Sequence, residues 1–281
     1  MERTRRFLTS LGFPPGDAHD LPASSRRFPD GAHYRVEIPS VEGPRVLAAV
    51  LEEAQRLSVT IHRVSQGSGI LMLTDAEIKE MGRMGRETGI EVCLFVGPRA
   101  GWDTGAQVVS SAGKNLGARL RGMDQVVYAA EDIRRACALG IRSVLVADEG
   151  LLFLVNEMKK AGELPRDLVV KVSVQVGAAN PVSVRWMEQL GATSYNVPTD
   201  LSLAQLAALR QATAVPFDIY VEAPDDFGGF VRHYEVPTAI ALARERVHRA
   251  AIAVDLLRRY LPEAQPSARG PRDLGIPAEP S

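Results

Sequence analysis

Along residues 168–222 apolar and polar side chains alternate in three short runs, LVVKVSVQ, TSYN and PFDIYVE. In the first, Lys171, Ser173 and Gln175 share one face and Leu168, Val170, Val172 and Val174 the other; in the last, Asp218, Tyr220 and Glu222 oppose Phe217, Ile219 and Val221. Side chains of a strand alternate between faces, so each run predicts an apolar surface for covering helices and a polar surface turned elsewhere. A barrel interior is the natural place for that second surface. Buried charges need partners, so an interior lined by Lys, Asp, Glu, Gln and Asn predicts a polar ligand site.

The same reading extended along the chain predicts eight strands, at 34–39, 58–64, 90–97, 118–122, 142–148, 168–175, 193–197 and 217–222. Helical patterns at 44–56, 74–88, 125–139, 151–162, 180–190 and 202–212 separate them. Thr74 with Glu77 makes a capping box, Pro181 follows Asn180 at a favoured first helical position, and glycines at 89, 140 and 191 supply stops. Eight strand–helix repeats with short connections predict an α/β fold, a (β/α)8 TIM-type barrel forming a single domain with a C-terminal helical extension. An open parallel sheet shares the local pattern. The expected layout is an irregular segment with a short helix at 1–33, the barrel at 34–245, a helix at 246–262, and a disordered tail at 263–281, rich in Pro, Ser and Gly.

Composition narrows the partners. The 33 basic and 34 acidic residues nearly cancel, which gives no general attraction for nucleic acid or anionic membrane. The MERTRRF start lacks an apolar signal core and no run approaches a membrane span, so a cytoplasmic protein is expected. Only Cys93 and Cys137 are present, too few for a disulfide framework or a cysteine-only metal site. A homodimer is compatible with all of this.

Residues 171–211, KVSVQVGAANPVSVRWMEQLGATSYNVPTDLSLAQLAALRQ, resemble the core pattern of the collagenase-like peptidase family at Ser173, Gln175, Asn180, Leu190, Gly191, Asp200, Leu201, Ser202 and Leu203. The following DIYVE is similar to the family's strand-eight motif. The resemblance implies a barrel-like fold, and peptidase activity or a role as an iron–sulfur protein assisting hydroxylation of RNA or quinone precursors. This chain departs from the pattern in three places. Thr199-Asp200 replaces a paired Arg-Glu, Glu222 stands where the family has a histidine, and APDDFGGFVRHYE replaces the cysteine-rich segment. Four thiolates hold such a cluster, so no iron–sulfur cofactor is expected. No HExxH helix or nucleophile–base pair marks a protease.

Barrel active sites lie at the C-terminal ends of the strands. Glu222, Glu37 and His62 are the expected acid–base groups, with a small polar or anionic substrate held by Arg63, Gln175, Asn196, Arg121, Arg99, Ser68 and Arg232. The SQGSG loop offers backbone amides to an anion, and His233 adds a group that titrates near neutrality. Glu37, Asp148 and Glu222 form a candidate divalent-metal site with His62 nearby; the alternative is an interior ion network with Arg35, Arg121 and Lys171. Lys171 is a candidate Schiff-base nucleophile for a carbon–carbon lyase, or else an ion-pair partner of Asp218 or Glu91. Residues 224–235 join glycines, aromatics and charges as a lid would. A third expectation is a non-catalytic barrel that binds a metabolite or partner.

Overall fold

The computed structural model describes residues 1–99, 110, 117–221 and 236–281. Its centre is a curled sheet of seven parallel strands in sequence order: β1 (Glu37–Pro39), β2 (Arg63–Ser65), β3 (Glu91–Phe95), β4 (Ser143–Val146), β5 (Val169–Val172), β6 (Ser194–Asn196) and β7 (Phe217–Asp218). Parallel neighbours require crossovers, and helices supply them. They are α2 (Pro44–Arg56), α3 (Asp75–Thr88), α4 (Gly122–Ala138), α5 (Glu149–Ala161), α6 (Pro181–Gln189) and α7 (Leu203–Ala212). A first helix, α1 (Glu2–Ser10), precedes the sheet, and a long one, α8 (Val236–Tyr260), follows it and packs along α2.

Local chemistry explains the boundaries. The expected capping box at Thr74 and Glu77 forms, a second joins Ser202 to Gln205, and Asn180 Oδ1 accepts from the Ser183 N–H at 3.0 Å. Each satisfies a helix-end donor that would otherwise lack a partner. Outward strand residues, among them Val64, Leu94, Val144, Val170, Val172 and Tyr195, join the helices in the main core. The inner face of β3 and β4 carries a smaller apolar group of Cys93, Phe95, Leu145 and Ala147, joined by Ala118.

Two expectations need correction. Residues 118–122 form no strand, and β3 pairs directly with β4, Cys93 opposite Ser143. The Leu120 and Arg121 N–H groups donate instead to the side chains of Asp148 (3.3 Å) and Gln125 (2.6 Å), so no ladder is needed to satisfy them. The sheet among the described residues therefore has seven strands, with β1 and β7 at its edges. The last strand is also short: it ends at Asp218, and Ile219 and Val221 are exposed rather than covered.

The second correction is the tail. Residues 264–281 are an ordered strap laid across the N-terminal ends of β1 to β4. Arg35 grips Asp273 through two hydrogen bonds of 2.9 and 2.7 Å, the Ser267 N–H donates to the Tyr34 carbonyl, and the Ala278 N–H donates to the Gly140 carbonyl at 2.7 Å. Pro and Gly here signal an extended segment whose polar backbone is satisfied by other elements. Gly275 is required by contact, since a Cβ there would lie 2.4 Å from the Arg142 carbonyl oxygen. Among the described residues no helix is long and apolar enough to cross a membrane.

Candidate functional site

The inner face of the sheet gathers charge because the strand registers bring alternate positions together. Glu37 on β1 stands opposite Arg63 on β2, which stands opposite Glu91 on β3; across the curl, Lys171 on β5 and Asp218 on β7 complete the group. Arg63 is the hub. Its Nε donates to Glu91 Oε1 (2.7 Å), and its Nη1 donates to Asp218 Oδ1 (2.9 Å) and Glu37 Oε2 (3.2 Å). Lys171 Nζ donates to Glu37 Oε1 at 2.5 Å and lies 3.7 Å from Asp218 Oδ2. Ser65 donates to Glu37, and Ser143 donates to Glu91. Exposure rises away from the strap: the Glu91 side chain is 0% exposed, whereas Glu37 and Asp218 keep 18% and 17%. The strap seals the lower end by donating the Gly275 N–H to Glu91 Oε2 at 3.1 Å. Glu37 and Asp218 are therefore the reachable carboxylates.

They are driven in opposite directions. Burial disfavours both anions. At Glu37 the charges of Lys171 and Arg63, with hydrogen bonds from Lys171 and Ser65, overcome that cost and hold the carboxyl near 2. At Asp218 burial prevails over the same two cations, helped by repulsion from Glu37, and the pKa is raised. Burial also opposes the Lys171 ammonium, but Asp218 and Glu37 outweigh it and hold the amine charged. Tyr220, two residues beyond Asp218, is raised by burial and by the charge of Glu37 and Asp218.

The other expected residues fall elsewhere. His62 is fully buried at the strap: its Nδ1 accepts from the Val36 N–H (3.0 Å), leaving Nε2 to donate to the Ser267 carbonyl (2.9 Å). Burial, the largest influence, lowers its pKa, so the neutral ring ties the strap to the sheet. Asp148 caps α5 through the Leu151 N–H (3.0 Å). Arg121 is the N-cap residue of α4. Gln175 lies in a 3-10 turn, Val174–Val176, just after β5, and Asn196 ends β6 on the inner face. Glu222, Arg232, His233 and the 224–235 segment lie outside the described residues.

The SQGSG loop does bind an anion, but one from its own chain. Buried Glu42 accepts from the Gly67 N–H (3.1 Å) and the Ser68 N–H (2.9 Å), while Gln66 accepts from the Gly69 N–H (3.0 Å). Arg99 donates to the Gly67 carbonyl at 2.9 Å and stacks on Phe95, its centre 3.8 Å from the ring. Burial raises the Glu42 pKa and lowers that of Arg99 to about 10. Arg246 of α8 reaches the same end of the sheet, donating to the Pro39 carbonyl at 3.2 Å.

Two further groups were not singled out as site residues by sequence reasoning. Asp218 was legible only as an inward position and an ion-pair partner; its shift depends on a register no single segment reveals. Asp132 on α4, raised to about 7 mainly by burial, accepts from the Gly97 N–H at 3.3 Å, and nothing in its helical surroundings marks it. Among the described residues no three His, Cys, Asp or Glu side chains are grouped to hold a metal ion. Cys93 faces inward and Cys137 lies in the helix-side core, each pushed up to about 12 mainly by burial.

Among solved structures, the U32 peptidase Mk0906 is 17% identical with a TM-score of 0.43, covering 83% of this chain and 82% of that one. The 2,3-dimethylmalate lyase of the PEP mutase/isocitrate lyase superfamily is 11% identical with a TM-score of 0.45, covering 92% and 87%. Likeness at this level assigns neither chemistry nor substrate. A comparison with curated proteins gives no significant match. Residues 103–223 match the model of Peptidase family U32, the collagenase-like family that residues 171–211 resemble.

Proposed function

We propose that this chain is a barrel-type enzyme that transfers protons to and from a small polar substrate at the inner end of β1, β5 and β7. One observation carries the reading: Glu37 and Asp218 share the cations Lys171 and Arg63, yet one carboxyl is held near 2 and the other is raised. Paired carboxyls pushed apart in this way suit an acid and a permanently charged partner. Asp218 is the proposed proton donor and acceptor. Glu37 is the fixed anion that keeps Lys171 and Arg63 in place. Glu222, four residues beyond Asp218, is a further candidate for the same work, and 224–235 for a covering segment.

The Schiff-base alternative draws less support. A nucleophilic lysine must lose its proton, and Lys171 is held charged by two carboxylates. The divalent-metal alternative has two of its three expected ligands engaged otherwise, Glu37 by two cations and Asp148 by a helix end. A non-catalytic barrel would bind its ligand without turnover.

The test is a screen of small polar metabolites for turnover by the full chain, repeated with Asp218→Asn. A loss on the order of 10²-fold or more supports the reading. Unchanged turnover in that variant overturns it.

A further inference from the structure

The charged cluster also carries information about what it receives, on the reading that it is the functional site. Its two cations are committed. Arg63 is bonded to three carboxylates, and Lys171 contacts two of the same three. Both cations are thus already bonded to carboxyl groups of the cluster, and an incoming anion would have to compete with these for them.

Next to this cluster the structure leaves buried polar groups, most of them acceptors, without hydrogen-bond partners. Asn196 is buried, at 5% exposure, and its Nδ2 donates to the Asp218 carbonyl at 3.3 Å. That bond fixes the amide's orientation, since turning it would set two oxygens against each other. The Oδ1 is then a buried acceptor with no partner. Asp218, the register partner of Asn196, likewise leaves its buried Oδ2 without a hydrogen bond in this geometry, 3.7 Å from Lys171 Nζ and beside the Ser194 hydroxyl, which is also buried without a partner. Gln175 Oε1, just past the end of β5, is a third buried acceptor without a partner. Buried polar atoms are nearly always satisfied, so neighbouring unpaired acceptors mark a place built for a donor.

We propose that this site takes a ligand presenting N–H donors, an ammonium group above all, to Asn196 Oδ1 and Asp218 Oδ2, and that it does not take an anion. The donor hydrogens would satisfy the carboxamide oxygen and the free lone pairs of Asp218. No bond is made or broken in this recognition step.

Ethanolamine and glycolate have nearly the same size and opposite charge, so they separate the two possibilities on the unmodified full chain. In a 1H–15N NMR titration, ethanolamine should shift the Asn196 side-chain amide and the backbone amides of 194–197 and 217–219 saturably, and glycolate should not. Asn196→Leu should weaken ethanolamine binding about ten-fold, as loss of a charge-assisted hydrogen bond does. Saturation of these signals by glycolate, failure of ethanolamine to saturate them, or equal ethanolamine affinity in the variant would overturn the proposal. The wild-type comparison decides even if the variant does not fold. Carbon-13 titration of Glu37 and Asp218 tests the proton-transfer reading separately: equal, ordinary titration of both would sink that reading whatever ethanolamine does.

Discussion

Glu37 illustrates how one side chain sets both stability and chemistry. Its folded pKa lies near 2, below the ordinary 4.5, so its contribution to stability is present above 4.5 and is lost as pH falls toward 2. Replacing it with Gln should remove that acid dependence and also leave Lys171 short of a partner, at a cost of about 3–5 kcal/mol near neutrality. Urea denaturation at several pH values measures both effects; an unchanged acid slope would show that Glu37 is not the titrating group. Asp218 behaves in the opposite sense. Its raised pKa makes the folded state favour the proton, so its contribution is full below 3.8 and declines as pH rises through the folded value. Asp218→Asn resembles the protonated form and should therefore gain stability relative to the wild type as pH rises. A variant that instead loses ground with rising pH would reverse this assignment.

Elements show how much the sequence made legible. Hydrophobic periodicity located α2 at its observed bounds, and the capping residues Thr74 and Asn180 located the starts of α3 and α6. Alternation correctly turned Lys171 and Asp218 inward. It misread 118–122 because a few alternating residues predict a strand only if a neighbour is free to pair, and β3 and β4 pair with each other. It misread the tail because Pro and Gly mark both disorder and extended segments held by distant partners, and the partners Arg35, His62 and Gly140 lie far away in sequence. The cluster's chemistry was less legible still, since the split between Glu37 and Asp218 arises from four strands at once. The strap offers its own test. Gly140 has a φ of +98°, and a Cβ there would lie 2.4 Å from the Ala278 carbonyl oxygen. Gly140→Ala should destabilise by roughly 1–3 kcal/mol and speed amide exchange across 274–281. Unaltered exchange would mean that the strap is held without this contact.

The molecule as a whole separates two kinds of interior. Helix-side packing holds Cys137, and the inner face of the sheet holds Cys93, so the two thiols lie in different apolar groups. Both are pushed up to about 12 by burial, which predicts that neither reacts with a disulfide reagent at pH 8 until the protein unfolds, and that both then react together. Rapid labelling of one thiol in the native state would contradict that picture. The same division gives the strap a role in time as well as space. Chains are synthesised from the N-terminus, so all seven strands leave the ribosome before residues 264–281 exist. Until then the His62 ring lacks its Ser267 partner and the Glu91 carboxylate lacks the Gly275 N–H, and water can reach both from below. The Glu91 end of the charged cluster is thus uncovered while the strands emerge, and it is closed off only when residues 264–281 are laid against it.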